Sequence, residues 1–393
     1  MHPNIQHLVT IANKQKRLII GLMSGTSLDG LDIALCSIEG SGFNTKLELL
    51  RFETVPYTDE FKKEIRAVFA KKNIELEKLC LLNPQIALQH AVMVNDCLNK
   101  WKFIAENIDL IGSHGQTIYH VPRGAGNATL QVGDGDHLAV ATGIITISDL
   151  RQKNIAAGGE GAPLAVYGDR FLFTKQGEDR ILLNIGGITN FTFLPGGIHE
   201  DCQCTDVGPG NTMMDAYMRK HFPGKYFDDE AGIAKAGTIN EALLAALEEN
   251  SFFEQPFPKT TGPELFNLEY LETAKQKSNS VPLSVEDTMA TLNKFAADMI
   301  AAAIKHQLKE KAGCRIFGSG GGIHNPLLMK HLQRHLPGCS FHSTAELGID
   351  PGAKEAVLFA ILANECICGD PSLSMKLPEG IPAVSMGKIS FPS

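Results

Sequence analysis

The chain has no surplus of basic residues, and this argues against one large class of partner. Its 393 residues contain 36 Lys and Arg against 44 Asp and Glu, a formal net charge of −8. General nucleic-acid binding needs a basic face, so we expect no nucleic-acid partner. Hydrophobic residues make up 44% of the chain and charged residues 20%, which indicates an ordinary globular protein rather than a disordered one.

Long apolar runs and paired cysteine motifs are also missing. No run approaches the roughly 20 apolar residues of a membrane span, and residues 1–16 have neither the apolar length nor the cleavage site of a signal peptide. The nine cysteines are an odd number, and the closest pairs, Cys202/Cys204 and Cys366/Cys368, lack the C-x-x-C spacing of a zinc site. We therefore expect reduced thiols in a cytoplasmic protein without a membrane partner.

The common nucleotide-binding signatures are absent too. No G-x-x-x-x-G-K-[ST] sequence occurs, which excludes a P-loop enzyme. The glycine-rich stretch 318–322 lacks the Rossmann spacing, and the H-R-D and D-F-G pair of a protein kinase is missing. A nucleotide would therefore need another kind of glycine-rich loop.

One glycine-rich hairpin pattern occurs twice. Residues 17–35 (RLIIGLMSGTSLDGLDIAL) and 180–194 (RILLNIGGITNFTFL) each place a glycine turn between two apolar runs, which is typical of strand–turn–strand. Glycines at such a bend let backbone N–H groups surround an oxyanion, and we expect the Gly186–Gly187 turn to require positive φ. Two such turns, each opening one half of the chain, favour a duplicated domain that grips a polyphosphate. The pattern therefore indicates an enzyme that uses ATP.

Strands alternate with helices along the chain, which indicates an α/β fold. The length favours two domains, and we place them at 1–150 and 151–393 around a Gly/Ala hinge at 154–163. The final helix, 352–366, can still pack back on the first domain. The remaining pattern predicts a strand at 47–55 and a short strand at 108–111 that runs straight into the polar stretch 113–117. It also predicts helices at 59–72, 84–102, 240–253 and 284–310, the last capped by Ser284.

Six motifs, in order along the chain, resemble the anhydro-N-acetylmuramic acid kinase family: GLMSGTSLDGLD (21–32), SHGQT (113–117), AAGGEGAPL (156–164), NIGGITN (184–190), DVGPGN (206–211) and GGGIHN (320–325). The resemblance implies an α/β protein with two similar domains of the sugar kinase/Hsp70/actin (ribonuclease H-like) type. Their mixed sheets are flanked by helices, with an ATP cleft between the domains. It also implies an enzyme of peptidoglycan recycling that uses ATP and Mg²⁺ to convert 1,6-anhydro-N-acetylmuramic acid to N-acetylmuramic acid 6-phosphate. Its partners are then a small-molecule sugar and ATP, and the oligomeric state, a homodimer included, stays open.

The resemblance further implies roles for individual residues. It makes Asp206 the general base and Asp29 a carboxylate that orients Mg²⁺ through water. The residues that match its ATP-binding segments are Gly25, Thr26, Ser27, Leu28, Asp29, Gly30, Leu31, Asp32, Gly186, Gly187, Thr189, Gly320, Gly321, Gly322 and Asn325. The residues expected at the sugar are His114, Gln116, Asp149, Arg151 and Glu355. An ion pair that pins the hinge is the alternative role for Asp149 and Arg151, and a solvated first helical turn is the alternative for Glu355.

Two other functions are compatible with this fold. A kinase for an ordinary hexose would use Asp206 to deprotonate a sugar hydroxyl. An actin- or Hsp70-like ATPase would have a conformational output, but the segment after Cys366 is too short and Pro-rich for a peptide-binding domain. Activity on an anhydro sugar compared with free hexoses separates these functions.

Overall fold

The computed structural model describes residues 1–25, 28–121, 128–159, 161, 164–197, 202–309, 313–350, 352–370 and 384–392, so the predicted site residues Thr26 and Ser27 lie outside it. The chain forms two compact units, one of Met1–Leu172 with Ile349–Ser393 and the other of Phe173–Gly348. The break therefore falls later than the 150/151 boundary suggested by the sequence. The physical reason is that Arg151 bonds to His114 of the first sheet and the final helix packs on that same sheet.

The strands follow one another through both units. In chain order they are β1 (Lys16–Ser24), β2 (Gly30–Glu39), β3 (Lys46–Pro56), β4 (Leu110–Val121), β5 (Ala128–Val132), β6 (Thr146–Ser148), β7 (Arg180–Ile185), β8 (Ile188–Leu194), β9 (Gln203–Pro209), β10 (Arg315–Ser319), β11 (Ser340–Ser343) and β12 (Lys388–Ser390).

The α-helices separate these strands. In chain order they are α1 (Pro3–Ala12), α2 (Asp59–Arg66), α3 (Leu76–Trp101), α4 (Gly135–Thr142), α5 (Gln152–Ala156), α6 (Ala165–Phe173), α7 (Thr212–His221), α8 (Gly232–Ala236), α9 (Glu241–Glu248), α10 (Ser251–Glu254), α11 (Leu268–Lys277), α12 (Val285–Leu308), α13 (Pro326–His335) and α14 (Lys354–Cys368). Short 3₁₀ turns lie at Gly42–Asn44, Ala105–Asn107, Asp229–Ala231, Gly321–His324 and Thr344–Leu347.

The first unit is built on a mixed sheet with the strand order β12-β6-β4-β1-β2-β3, and β5 pairs with β4. Strands β1, β2 and β3 form an antiparallel meander, while β4 joins β1 in parallel on the other side and β6 continues in parallel. Helix α3 packs on one face, where Ile86 and Val94 share a hydrophobic core with Ile20 and Ile111.

Helix α14 packs against this sheet at unusually close range. A Cβ on Gly21 would lie 1.8 Å from the carbonyl oxygen of Ala356, and one on Gly112 would lie 2.1 Å from that of Phe359. Only glycine permits such an approach of helix backbone to sheet. Because side chains alternate along a strand, these glycines face away from the core of Ile20 and Ile111. The contact fixes the position of α14, which carries Glu355.

The second unit repeats this topology. Its sheet has the order β11-β10-β7-β8-β9. Strands β7, β8 and β9 form the meander, and β10 and β11 follow in parallel on the other side of β7. Two mixed sheets flanked by helices confirm the predicted α/β fold class and the duplication suggested by the two hairpins.

Helices α12 and α13 close the core of the second sheet. Ile300 of α12 and Leu332 of α13 pack with Ile181 and Leu183 of β7. As the sequence predicted, Ser284 caps α12, and its hydroxyl accepts a hydrogen bond from Asp287 N at 3.0 Å. Such a cap typically stabilises a helix by about 1 kcal/mol.

Some predicted boundaries were wrong for identifiable reasons. The strand predicted to end at 111 continues through the polar stretch 113–117 as part of β4, because β1 pairs with this stretch on one side and β5 pairs with it on the other. Helix α3 starts at Leu76 and contains Pro84 in its interior. The helix predicted at 240–253 divides into α9 and α10, because the Asn250 side chain accepts Phe252 N and caps a new helix.

In the described ranges, no helix combines the length and apolar character needed to cross a membrane. Cys36, Cys97 and Cys314 are buried in the fold.

Candidate active site

His114 lies in the buried interior of β4. It is 4% exposed, and its ring packs on Phe359 of α14 with ring centroids 4.9 Å apart. Its Nδ1 lies 2.9 Å from the Gly115 carbonyl oxygen, and its Nε2 accepts hydrogen bonds from the Arg151 guanidinium at 3.0 and 3.1 Å. Burial and the Arg151 charge lower the pKa of His114 to about 3. The ring is therefore neutral and carries its proton on Nδ1.

Arg151 connects this histidine to α14. The guanidinium also donates to the Gly161 carbonyl oxygen at 2.7 Å. Burial lowers the pKa of Arg151, and the charge of Glu355 opposes that shift. In turn, burial of the carboxyl and the charge of Asp32 raise the pKa of Glu355, while the charges of Lys354 and Arg151 lower it. The structure thus brings His114, Arg151 and Glu355 into one electrostatic cluster.

Asp149 is bound differently from the other predicted sugar residues. It follows β6 with a φ of 53°, and its carboxylate forms an ion pair with Lys388 of β12. This pair joins the end of β6 to the neighbouring edge strand. The structure therefore gives Asp149 a partner outside the His114 cluster.

A buried chain of hydrogen bonds runs from α3 to Gln116. His90 Nε2 lies 2.7 Å from Tyr57 Oη, which donates to Ser24 Oγ at 2.8 Å. Ser24 donates to Gln116 Oε1, and Gln116 Nε2 donates to the Gly25 carbonyl oxygen at 3.4 Å. Gln116 is completely buried, and its amide holds the start of the first glycine turn through the bond to Gly25. Sequence reasoning missed His90 and Tyr57, because neither belongs to a motif.

We expect His90 to make stability fall in acid. Burial lowers its pKa from 6.5 to about 3. Between these values the unfolded chain binds a proton that the folded protein does not, so stability falls by about 1.4 kcal/mol per pH unit as pH decreases. His90→Gln keeps a donor for Tyr57 without this titration, and urea unfolding between about pH 7 and 4 should show a shallower loss. His7→Gln, at an exposed position, is the control, and an unaltered slope in His90→Gln would contradict the prediction.

The turn between β1 and β2 carries the first glycine motif. Leu28 and Leu31 are 2% and 0% exposed, so only their backbone groups are available to a ligand. A Cβ on Gly30 would lie 2.3 Å from the Val55 carbonyl oxygen, which gives this glycine a packing role. Among the described residues that follow Gly25 in this segment, Asp29 and Asp32 carry polar side chains.

Asp29 and Asp32 form this carboxylate pair. Asp29 is exposed, and the half-buried Asp32 accepts a hydrogen bond from Thr54 at 2.6 Å. Burial raises the pKa of Asp32, the Thr54 bond opposes this, and the charge of Asp29 adds to it. Carboxylate oxygens that repel each other suit a hard dication such as Mg²⁺. Within the described part of the chain, no group of three or more His, Cys, Asp or Glu is arranged to hold a metal, so Mg²⁺ at this pair would take its other ligands from water and phosphate.

In the second unit, Asp206 lies in β9 beside an irregularity of the sheet. It stands opposite Asn190 of β8, and the register shifts between this pair and the pair Thr189–Gly208. Such bulges re-aim side chains. Asp206 is half-buried, and its Oδ2 accepts a hydrogen bond from Thr261 N at 3.0 Å.

The surroundings of Asp206 make it a stronger base than an exposed aspartate. Burial raises the pKa of Asp206, the Thr261 bond opposes the rise, and the charge of Glu264 adds to it. Thr261 Oγ1 is buried and has no hydrogen-bond partner among the described residues. Sequence reasoning missed the segment 259–264 (KTTGPE), whose only local signal is a polar run ending in Gly-Pro.

The prediction that the β7–β8 turn requires positive φ was wrong. Neither Gly186 nor Gly187 lies in the left-handed region. The turn is held by hydrogen bonds to its carbonyl groups. The Gly186 carbonyl oxygen accepts a hydrogen bond from Asn211 N–H at 2.9 Å, and the Gly187 carbonyl oxygen accepts one from Thr212 N–H at 3.0 Å. A Cβ on Gly186 or Gly187 would meet no atom closer than 3.4 or 3.7 Å. Packing therefore does not require glycine at either position. Nearby, Thr189 Oγ1 is buried without a partner among the described residues.

The segment after β10 contains glycines of two kinds. Gly320 has a φ of 82°, and a Cβ on Gly322 would lie 2.2 Å from a methyl group of Ile185, so both serve the fold. Gly321 is exposed, and its Cβ would meet nothing closer than 3.8 Å. Asn325 caps α13, and its Oδ1 accepts Leu328 N and Asn293 Nδ2, each at 3.0 Å. A helix N-terminus beside an open glycine is suited to an anionic ligand.

Comparison with known proteins agrees with these features. The model of the family anhydro-N-acetylmuramic acid kinase matches residues 17–391. The chain is 54% identical over 400 residues to a relative of that name from Pseudoalteromonas atlantica, covering 100% of both chains. It is 38% identical over 396 residues to another from Caldanaerobacter subterraneus, covering 98% of this chain and 100% of the relative. A solved structure, the (R)-2-hydroxyglutaryl-CoA dehydratase component A of Acidaminococcus fermentans, covers 89% of this chain and 99% of its own at 12% identity, but its TM-score of 0.39 is too low to carry an argument.

The two α/β units share one topology and carry glycine-bearing turns. Together with the family match over residues 17–391, these features define the protein as a kinase. The chain belongs to the anhydro-N-acetylmuramic acid kinase family. The resemblance read from the six motifs is therefore confirmed.

Proposed function

We propose that this protein opens the 1,6-anhydro ring of 1,6-anhydro-N-acetylmuramic acid and phosphorylates O6 at the expense of ATP, giving N-acetylmuramic acid 6-phosphate and ADP. The observation that carries the proposal is the 54% identity over the full length to a relative named for this activity. The fold alone would not specify the substrate. The activity belongs to peptidoglycan recycling, and we place it in the cytoplasm, where ATP is available.

The chemistry of the substrate explains how one base serves two bond changes. The 1,6-ether occupies the oxygen that must receive phosphate, so the substrate has no free 6-hydroxyl group. Asp206 takes a proton from a water molecule at C1, the water oxygen bonds to C1, and the C1–O6 bond breaks. O6 takes the γ-phosphoryl group in line, and ADP leaves. The raised pKa of Asp206 supports this assignment.

Phosphoryl transfer depends mainly on positioning and charge neutralisation. We assign the phosphates of ATP to the turn at 25–32 and to three glycines, Gly186, Gly187 and Gly321. At each of these three glycines an added Cβ would meet no protein atom at close range. Thr189 and Asn325 accompany these glycines. Mg²⁺ bound through water at Asp29, with Asp32 beside it, would neutralise charge on the phosphates.

The polar cluster of the first unit suits the sugar. The muramic acid substrate carries a carboxylate, and the Arg151 guanidinium is a charge-matched donor for such a group. Neutral His114 holds Arg151, and Glu355 offers an acceptor for sugar hydroxyl groups. Gln116 would act indirectly, by anchoring the turn at Gly25. Asp149 would also act indirectly, through its ion pair with Lys388.

The test is ATP consumption with three acceptors: 1,6-anhydro-N-acetylmuramic acid, N-acetylmuramic acid and glucose. We expect turnover with the anhydro sugar and at least tenfold less with the other two, since a pocket whose polar groups are left unpaired rejects an analogue strongly. Preferred turnover with glucose would identify an ordinary hexose kinase instead. ATP hydrolysis that is independent of any sugar would favour a conformational ATPase.

A further inference from the structure

Lys259 is a buried cation that the proposed mechanism does not use. Its side chain is 7% exposed, and its ammonium group donates to the carbonyl oxygens of Phe252 and Phe253 at 2.9 and 3.1 Å. It also lies over the rings of Phe252, Phe257 and Phe253, at 4.4, 5.3 and 5.9 Å from their centroids. Lys259 thus binds the end of α10 through carbonyl dipoles and aromatic faces.

A buried ammonium without a carboxylate partner is costly. Burial lowers the pKa of Lys259, and within the described residues no acidic side chain counters that shift. The aromatic faces and carbonyl groups recover part of the cost. An apolar side chain would fill the same space without that cost, so the charge is most simply explained by what it holds in place.

The backbone of Lys259 is bonded directly to the strand that carries the proposed base. Its carbonyl oxygen accepts Asp206 N at 3.0 Å and the Thr205 hydroxyl at 3.3 Å, while its N–H donates to Thr205 Oγ1 at 3.0 Å. Two residues further on, Thr261 N donates to the Asp206 carboxylate at 3.0 Å. One short segment therefore connects α10 to the carboxylate.

We propose that Lys259 is a positioning residue, which clamps residues 259–261 against β9 so that Thr261 N–H stays on the Asp206 carboxylate. The proposal rests on the proposed role of Asp206 as the base. Lys259 itself does not touch the reacting atoms. Its contribution is to tie the donor segment to α10.

The charges around Asp206 determine what loss of the clamp would do. Among the described residues, Glu264 supplies the charge that acts on Asp206, while the opposing residue on β8, Asn190, is neutral. The Lys259 ammonium is occupied by α10. Losing the Thr261 bond removes the interaction that lowers the pKa of Asp206, and the carboxylate then needs a higher pH to act as a base.

Lys259→Met and Thr205→Val test the clamp at its two attachments. In both variants we expect the acidic limb of the kcat/KM profile to move up by about one pH unit, the order expected for loss of one hydrogen bond to a charged group. On the acidic limb, kcat/KM of each variant should be about tenfold lower than that of the unaltered enzyme at the same pH. It should recover at higher pH, which a misfolded protein would not do. The matched control is Lys275→Met, which removes another buried ammonium, 5.0 Å from the ring centroid of Tyr217 on α7, and should keep the original profile.

An unshifted limb in folded Lys259→Met and Thr205→Val would overturn the proposal, as would an equal shift in Lys275→Met. Asp206→Asn, assayed alongside, separates a failure of the positioning role of Lys259 from a failure of the assignment of Asp206 as the base. If Asp206→Asn is inactive and the limb is unshifted, only the positioning role fails. If Asp206→Asn remains active, the assignment of the base fails and the clamp hypothesis fails with it. Far-ultraviolet circular dichroism identifies the variants that fold.

Discussion

Asp206→Asn is expected to lower kcat by about 10²–10⁴-fold while ATP and the sugar still bind, because the amide cannot accept the proton of the attacking water. Ring opening and phosphorylation should be lost together, since one proton transfer starts both. Steady-state kinetics and calorimetric titration of each ligand would measure the two effects. Asp228→Asn is a matched control, because the Asp228 carboxylate also accepts backbone N–H groups, from Ile233 and Ala234, but at the start of α8. Near-normal turnover by Asp206→Asn would move the base to another carboxylate, such as Glu264.

Isotope labelling examines the same mechanism in the unaltered enzyme. Turnover in ¹⁸O-water should place the label on the C1 hydroxyl group and none in the phosphate ester. Unlabelled product kept in ¹⁸O-water for the same time controls for exchange at the anomeric carbon. Label in the phosphate ester would mean that water attacks ATP, and the coupled mechanism would then be wrong.

Gly187→Val is expected to reduce ATP turnover by about 10²-fold, the order seen when one preorganised donor to a charged transition state is lost. A Cβ at this exposed turn would have Thr212 Cβ at 3.7 Å as its nearest neighbour, so the variant should fold. The new side chain would instead occupy the space of a phosphate group. Calorimetry should show weakened ATP binding, with sugar binding retained.

Gly232→Val is the control for this substitution. Gly232 is also exposed, has no positive φ, and its Cβ would meet nothing closer than 4.0 Å, but it lies at the start of α8. It should keep full turnover. A folded Gly187→Val protein with undiminished turnover would remove the β7–β8 turn from the phosphate site.

The sequence determined those features whose causes are local. Apolar runs around a glycine turn specify the two strand pairs at 17–35 and 180–194, because the pattern and the bend lie within one short segment. The cap at Ser284 is specified in the same way, by one side chain and an N–H three residues on. The order of six motifs identified the family, and the position of Asp206 in DVGPGN marked it as a candidate base.

Only the tertiary structure decided which residues meet across long separations. Thr261 reaches Asp206, and His90 reaches Ser24 through Tyr57, by contacts that no spacing in the sequence records. The structure also divided the glycines into those that pack against backbone, such as Gly21, and those that face open space, such as Gly187. The sequence shows the same letter for both kinds of glycine, because the difference lies in what an added Cβ would touch in the folded protein. Burial, likewise, depends on the assembled sheets and helices, so the neutral state of His114 and the raised pKa of Asp206 arise only when the chain has folded.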